Sequence, residues 1–236
     1  KYDIGVIKME VKRNIEPTDN FLEKVRVLAT KMNIVLIFDE CTSGFRETFG
    51  GLHKKYNVNP DMAIFGKALG NGYAINAVIG RREVMEVAQT TFISSTFWTE
   101  RIGPVAAIAT LKVMEREKSW NKITNTGKAI SKIWKELARE NNLDINIFGL
   151  PSLIKFSFNY TNSLAYKTLI TQEMMSQGLL AGNSVYVCTE HNDEIISIYS
   201  SKMRSVFKLI QECEDGRSIS ELLKGPICHS KFMRLN

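Results

Sequence analysis

The chain has 236 residues, a formal net charge of +6, 44% hydrophobic residues and 24% charged residues. These values are typical of a globular protein with one large domain or two smaller ones, so they exclude intrinsic disorder, a collagen-like repeat and a small disulfide scaffold. The longest strongly apolar run, residues 34–38, is too short to span a membrane. Basic residues alternate with acidic ones, which favours solvated helix faces over a nucleic-acid interface.

The four cysteines are widely spaced with no C-x-x-C pair, and with only three histidines no metal-ligand spacing occurs. The sequence therefore predicts no metal site and indicates reduced thiols in a cytoplasmic protein. The first ten residues alternate charged with apolar side chains, unlike a signal peptide, and the chain does not begin with Met. We therefore expect a fragment or a processed product.

The first half of the chain reads as alternating strands and helices. A strand at residues 3–10 and a helix at 20–32 precede the continuously apolar strand at 34–38. Continuous apolarity indicates that both faces of this strand are covered, as in the parallel sheet of an α/β fold. Further strands are predicted at 62–65 and 77–79, and a helix at 82–89.

The second half has a different pattern. Helices are predicted at 102–117, 120–141, 165–177 and 202–212, and strands at 153–158 and around 195–199. The mixture indicates a smaller α+β domain that begins after about residue 117.

Two carboxylates, Asp39 and Glu40, follow directly after the apolar strand at 34–38. Ligands of open α/β sheets bind outside the carboxyl ends of the strands, so both are candidate binding groups. One interpretation is a magnesium-binding acid of a nucleotide-binding protein, but no phosphate-binding loop occurs in the 38 residues before Asp39. The others are an acid that faces a heterocyclic nitrogen and a carboxylate that caps the next turn. The residues alone leave these alternatives open.

Lys67 follows the strand predicted at 62–65 and lies among three glycines, Gly66, Gly70 and Gly72. Glycines let a ligand or another backbone approach closely. A partly desolvated lysine at such an edge can form a Schiff base with an aldehyde cofactor. The alternative is an exposed lysine in a glycine-rich turn, and the lysine taken alone favours that alternative.

Hydroxyl side chains gather at residues 94–99, just before the helix predicted at 102–117. Hydroxyls and backbone amides near a helix start suit a phosphate group. Capping of the helix by Thr99 is the alternative, and the two roles are compatible.

Taken in order, these stretches resemble the class III family of aminotransferases that depend on pyridoxal phosphate (PLP), and most closely the members similar to glutamate-1-semialdehyde aminomutase. The resemblance is strong up to about residue 117 and weaker afterwards. The matching residues are Glu10, residues 20–26, Ile37-Phe38-Asp39-Glu40, Gly44-Phe45-Arg46, Pro60-Asp61, Gly66-Lys67, residues 80–85 and Ser95-Thr96-Phe97.

The resemblance implies a fold and an activity. The fold is that of a fold-type-I PLP-dependent transferase, with part of the mostly parallel large-domain sheet in residues 1–117 and a small α+β C-terminal domain in residues 118–236. The activity is amino-group transfer between a small amine and a keto or semialdehyde substrate, in a homodimer with a shared active site and with no nucleic-acid or membrane partner. An intramolecular aminomutase and a non-enzymatic nucleotide-binding or assembly module are the alternatives.

The resemblance also implies roles for four residues. Lys67 holds the cofactor aldehyde as an internal aldimine and moves the substrate proton, and Asp39 pairs with the pyridinium nitrogen. Cys41 packs against the ring where the family usually has valine. Thr96 binds the cofactor phosphate of a partner subunit.

The sequence departs from the family pattern in three places. Residues 96–101 lack the family's Thr-x-Ser-Gly-Asn-Pro run, and Val11 follows Glu10 where proline is common. Family members also carry a glycine- and serine-rich phosphate loop and a stacking aromatic ring upstream of the matched region. We therefore expect this chain to hold an incomplete site.

Overall fold

The computed structural model describes residues 3–230. The chain divides into two compact units, Lys1–Lys122 and Ile123–Asn236. The outer ends of the two predicted domains, residues 1 and 236, lie outside the described residues. Within residues 3–230, none of the helices has the length and apolar character needed to cross a lipid bilayer.

The first unit contains a four-stranded sheet in the order β1-β2-β3-β4. β1 and β2 pair in parallel, as do β2 and β3, whereas β3 and β4 pair antiparallel. The sheet is therefore mostly parallel, as predicted. Its elements are β1 (Val6–Met9), α1 (Phe21–Lys31), β2 (Val35–Asp39), β3 (Met62–Phe65), β4 (Ala77–Gly80), α2 (Arg82–Met85) and α3 (Ile102–Glu117).

Strand β2 is buried on one face and half-buried on the other. Leu36 and Phe38 are fully buried, whereas Val35 and Ile37 on the opposite face keep part of their surface. Within the described residues, the second face of β2 is therefore covered only in part. Helix α1 packs Leu22 and Ala29 into the interior, because these positions, seven residues apart, lie on the same helix face.

The second unit packs three helices with a three-stranded antiparallel sheet in the order β5-β6-β7. Its centre is aromatic: the rings of Trp134 and Phe156 lie 4.6 Å apart, and both side chains are fully buried. The buried indole N–H of Trp134 donates to the hydroxyl of Tyr199 at 2.7 Å. The elements are α4 (Ser119–Glu140), which begins just before the boundary, β5 (Ile145–Phe148), β6 (Leu153–Phe158), α5 (Ser163–Ser176), β7 (Ser184–Tyr186) and α6 (Asp193–Glu214).

The strand predicted around residues 195–199 is wrong, because this segment forms the first part of α6. The side chain of Asn192 accepts the amide of Ile195 at 3.0 Å and starts the helix. The branched side chains of residues 195–198 suggested a strand. The buried positions downstream nevertheless follow a helical period: Tyr199, Met203, Val206, Phe207 and Ile210.

Other predicted elements agree within a few residues, with three exceptions. The helix predicted at 202–212 begins nine residues earlier, at Asp193, because the segment predicted as a strand is its first part. The helix predicted at 82–89 stops at Met85 and continues as a 3-10 turn, Glu86–Thr90. Strands β5 and β7, of four and three residues, are absent from the prediction.

Candidate active site

The carboxyl ends of β2 and β3 bring the two principal candidate residues to the same edge of the sheet. The strands are parallel, and Asp39 pairs in register with Ile64. Lys67 follows three residues after Ile64, so its amine reaches the edge where β2 ends. The positive charge of Lys67 acts on the Asp39 carboxyl. The structure thus brings together the lysine and the aspartate that the sequence singled out.

Lys67 has an unusual backbone conformation at this edge. It is exposed and has a φ of +43°, in the left-handed region that residues other than glycine seldom adopt. Its Nζ donates to the hydroxyl of Thr42 at 2.6 Å. Residues held in sparsely populated backbone conformations concentrate at functional sites, because the surrounding structure must stabilise them.

Gly66 forms a tight passage next to Lys67. A Cβ atom at this position would lie 2.4 Å from Oδ1 of Asn76 and 2.7 Å from Sγ of Cys41. Both distances are shorter than a van der Waals contact, so a larger residue at position 66 would have to push the side chains of Asn76 and Cys41 aside.

The Asp39 carboxylate uses both of its oxygens in hydrogen bonds. Its Oδ2 lies 3.0 Å from Nζ of Lys8 on β1, and its Oδ1 accepts the amide of Cys41 at 3.2 Å. Burial by itself raises the pKa of Asp39, but the bonds from Lys8 and Cys41 and the charges of Lys8 and Lys67 outweigh that effect and lower the pKa. Asp39 is therefore an anion at neutral pH.

Glu40 is directed into the protein, away from Asp39. It is 0% exposed and accepts the amide of His53 at 2.9 Å, with Nδ1 of the same histidine at 2.9 Å and a bond from the Ser43 hydroxyl. Burial raises the pKa of Glu40, but the bonds from His53 and Ser43 outweigh it and lower the pKa. Of the two adjacent carboxylates, Glu40 holds the loop after β2 in place, and Asp39 faces the candidate site.

Asp61 is a second structural carboxylate, at the opposite end of β3. It accepts the amide of Leu36 at 2.8 Å and is bound by Arg26 at 2.8 Å and by Arg81 at 3.0 Å. Burial raises its pKa, but these three donors together lower it. The charged cluster ties the start of β3 to β2, which sets the position of Lys67 at the other end of the strand.

Thr96 lies in an exposed segment, and no hydrogen bond found in residues 3–230 joins it to Lys67 or Asp39. The side chains around it are also exposed; Phe92 is 97% and Trp98 70% accessible. Cys41, in contrast, is half-buried beside Gly66, at the edge that carries Asp39. The expected role of Thr96 toward a partner subunit stays a prediction.

The start of α3 is capped by Glu100 and not by Thr99. The Glu100 carboxylate accepts the amides of Ile102 and of Gly103, the latter at 3.2 Å. An acidic side chain at a helix N-terminus satisfies free amides and complements the helix dipole. These two amides are therefore already bonded in this structure, which weighs against a phosphate at the same place.

Two residues near the site were missed in the sequence. Thr42 contacts the Lys67 amine, and Lys8 pairs with Asp39. The only sequence signal for Lys8 is a charged residue inside an apolar strand, and its partner depends on which strand lies beside it. Thr42 lies three residues after Asp39 and carries no distinguishing pattern.

The residues at this edge fit a PLP molecule. A primary amine is the group that condenses with an aldehyde, and an anionic carboxylate is the partner that a protonated ring nitrogen requires. The side chains of Asn76 and Cys41 lie close against Gly66, so the strand end next to Lys67 has no room for a side chain of its own. The roles of the site residues stay predictions: Lys67, Asp39, Cys41 and Thr96.

Solved structures of transaminases share this fold. The FumI protein of Sphingopyxis sp. MTA144, in its PLP internal aldimine form, superposes with a TM-score of 0.80 over 93% of this chain and 55% of its own, at 16% identity. A PLP-bound transaminase gives a TM-score of 0.75 over 86% of this chain and 50% of its own, at 20% identity. The predicted fold-type-I architecture is confirmed.

The sequence comparisons identify the family. The family model described as Aminotransferase class-III matches residues 14–196, and the chain belongs to this family. It is 35% identical to a 3-aminobutyryl-CoA aminotransferase of Cloacimonas acidaminovorans, over 75% of this chain and 44% of the relative. It is 30% identical to a glutamate-1-semialdehyde 2,1-aminomutase of Methanocaldococcus jannaschii, over 82% of this chain and 49% of the relative. The chain thus spans about half the length of the curated relatives it matches.

Proposed function

We propose that this chain belongs to a PLP-dependent enzyme that transfers amino groups through Lys67. The observation that carries the proposal is the Lys67 amine beside the anionic Asp39 at one edge of a mostly parallel sheet. Membership of the class III aminotransferase family favours this chemistry over a nucleotide-binding or assembly module. When bound, PLP supplies an electron sink that stabilises negative charge on the substrate carbon.

Each residue at the edge has a distinct task in this proposal. Lys67 binds the aldehyde through Nζ and, once released, accepts and returns a proton at the same nitrogen. The Thr42 hydroxyl, 2.6 Å from Nζ, orients the amine by accepting a hydrogen bond from it. Asp39 holds the proton of the ring nitrogen in place, and the half-buried Cys41 excludes water from one side of the ring.

The substrate is a small amine with a keto or semialdehyde acceptor. An intramolecular 1,2-amino shift is the second candidate, because relatives at 30% and 32% identity are named glutamate-1-semialdehyde 2,1-aminomutase. Incubation of the holoenzyme with glutamate 1-semialdehyde as sole substrate separates the two. An aminomutase converts it without an amino acceptor, whereas a transaminase needs a second substrate.

We also propose that the enzyme is a homodimer in which Thr96 of one subunit binds the phosphate held by the other. The exposed apolar side chains around Thr96, Phe92 and Trp98 among them, support a contact with a second copy. Thr96→Ala should weaken PLP binding without altering the mass measured by sedimentation.

We also propose that the protein is cytoplasmic. All four cysteines lie in the described part of the chain and form no disulfides there, as is usual for thiols in the reducing cytoplasm.

Chemical fixation tests the central proposal. Addition of PLP to the protein should produce the yellow absorbance that PLP develops on joining a lysine, and borohydride should fix it on the peptide that contains Lys67. Lys67→Ala should lose both signals. Lys24→Ala, which removes an exposed lysine of α1, should retain them. Fixation on other lysines with equal yield, or none on Lys67, would contradict the proposal.

A further inference from the structure

Lys8 lies on the same sheet face as Asp39, one strand away. It pairs in parallel register with Ile37, and side chains two residues apart on a strand share a face. Its Nζ therefore reaches Asp39, where it lies 3.0 Å from Oδ2. The side chain is 55% exposed, so the ammonium can leave the carboxylate without becoming buried elsewhere.

Each oxygen of the Asp39 carboxylate already has a partner in the structure. Lys8 is bound to Oδ2 and the Cys41 amide to Oδ1, while the Lys67 charge acts from the turn that follows β3. A protonated ring nitrogen that binds Asp39 needs one of these two oxygens. It can displace the Lys8 ammonium from Oδ2, share Oδ2 with it, or bind Oδ1 next to the Cys41 amide. Wherever Lys8 stays in place, two positive charges lie at one carboxylate and repel each other.

On the basis of the proposed function, we infer that Lys8 is a positioning residue that neutralises Asp39 in the cofactor-free protein and competes with the ring nitrogen of PLP for the carboxylate. Lys8 stabilises the empty site and weakens the cofactor-bound one. The two effects have opposite signs, so they separate this role from a purely structural one. Damage to the fold would weaken both states.

Three variants and two ligands measure the competition. Lys8→Met removes the charge and retains most of the length, Lys8→Arg retains the charge, and Lys24→Met is a control on an exposed helix position. The ligands are PLP and its analogue with carbon in place of the ring nitrogen, which cannot carry a proton there. Equilibrium binding gives Kd for each pair, and thermal unfolding of the cofactor-free protein gives the stability of the empty state.

Lys8→Met should bind PLP about three- to fivefold more tightly, on the scale of a partly exposed ion pair. Its Kd for the carbon analogue should not change, and its cofactor-free form should unfold at a lower temperature than the wild type. Lys8→Arg, which keeps the positive charge, should bind PLP with the same Kd as the wild type. The control should match the wild type in all measurements.

The outcomes distinguish failure of the inference from failure of the proposed function. Suppose that the wild type binds PLP at Lys67. The inference about Lys8 is then wrong, and the function stands, if Lys8→Met leaves the Kd for PLP unchanged, raises it, or changes the Kd equally for both ligands. If borohydride fixes no PLP on Lys67 of the wild type, the proposed function is wrong, and the inference that rests on it is overturned as well.

Discussion

Replacement of Glu40 with alanine should release the loop that carries Cys41 and Thr42. In the wild type, the buried carboxylate accepts the His53 amide at 2.9 Å, contacts Nδ1 of that ring and binds the Ser43 hydroxyl. A carboxylate can only accept, so Nδ1 carries the proton in this contact. Alanine leaves all three donors without an acceptor in a region where the native side chain is 0% exposed.

The magnitude follows from these lost acceptors. Each buried donor left unpaired costs about 1–3 kcal/mol, and the removal of a buried charge recovers part of that sum. We expect Glu40→Ala to lower the free energy of unfolding of the first unit by about 3–5 kcal/mol. Glu40→Gln retains one acceptor oxygen, and its amide can donate to the Ser43 hydroxyl, so its cost should be about 1–2 kcal/mol.

Hydrogen exchange of backbone amides measures this effect within one unit of the chain. The amides of β2 and of His53 should exchange roughly 100- to 4000-fold faster in Glu40→Ala, because each 1.4 kcal/mol is about a factor of ten. Glu115→Ala, at an exposed position of α3, is the matched control. The reasoning is refuted if Glu40→Ala exchanges no faster at these amides than the control does.

The pH dependence gives an independent check. The pKa of Glu40 is lowered in the folded state from its ordinary value of 4.5, so its stabilising effect is complete above that pH and is lost as the pH falls through the lowered value. The stability difference between the wild type and Glu40→Gln should therefore shrink below about pH 4.5. A difference that grows on acidification would contradict the assigned direction.

Three further variants test other parts of the structure. Gly66→Ala should abolish retention of PLP during dialysis, because the new methyl group would lie within 2.7 Å of the side chains of Asn76 and Cys41. Retention at the wild-type level would show that PLP binding does not require glycine at this position. Asp61→Ala should lower the stability of the first unit by about 2–4 kcal/mol, since the Leu36 amide and two arginines lose their acceptor; hydrogen exchange of β2 measures it, and unchanged rates would contradict it. Tyr199→Phe should destabilise the second unit by about 1–3 kcal/mol, because the buried Trp134 N–H loses its partner. Urea denaturation followed by hydrogen exchange of α4 and α6 measures this effect. An unchanged urea midpoint would contradict the prediction.

Most elements of the first unit were predictable because their signals are local. The continuous apolar run of β2 and the helical spacing of the apolar residues in α1 and α3 can be read directly from the sequence. The strand predicted at 195–199 failed because branched residues also occur in helices that tertiary packing stabilises. The assignment of residues 1–117 and 118–236 to a cofactor domain and a small domain stays a prediction.

The sequence by itself indicated the family and the two candidate reactive residues. Asp39 and Lys67 each follow an apolar strand, and that arrangement can be recognised from neighbouring residues alone. Only the tertiary structure separated the adjacent carboxylates, by burying Glu40 against His53 and leaving Asp39 at the sheet edge. It also paired Asp39 with Lys8, thirty-one positions earlier in the chain. The physical reason is that periodicity specifies which face a side chain occupies, whereas its partners depend on backbone pairing between strands that are distant in sequence.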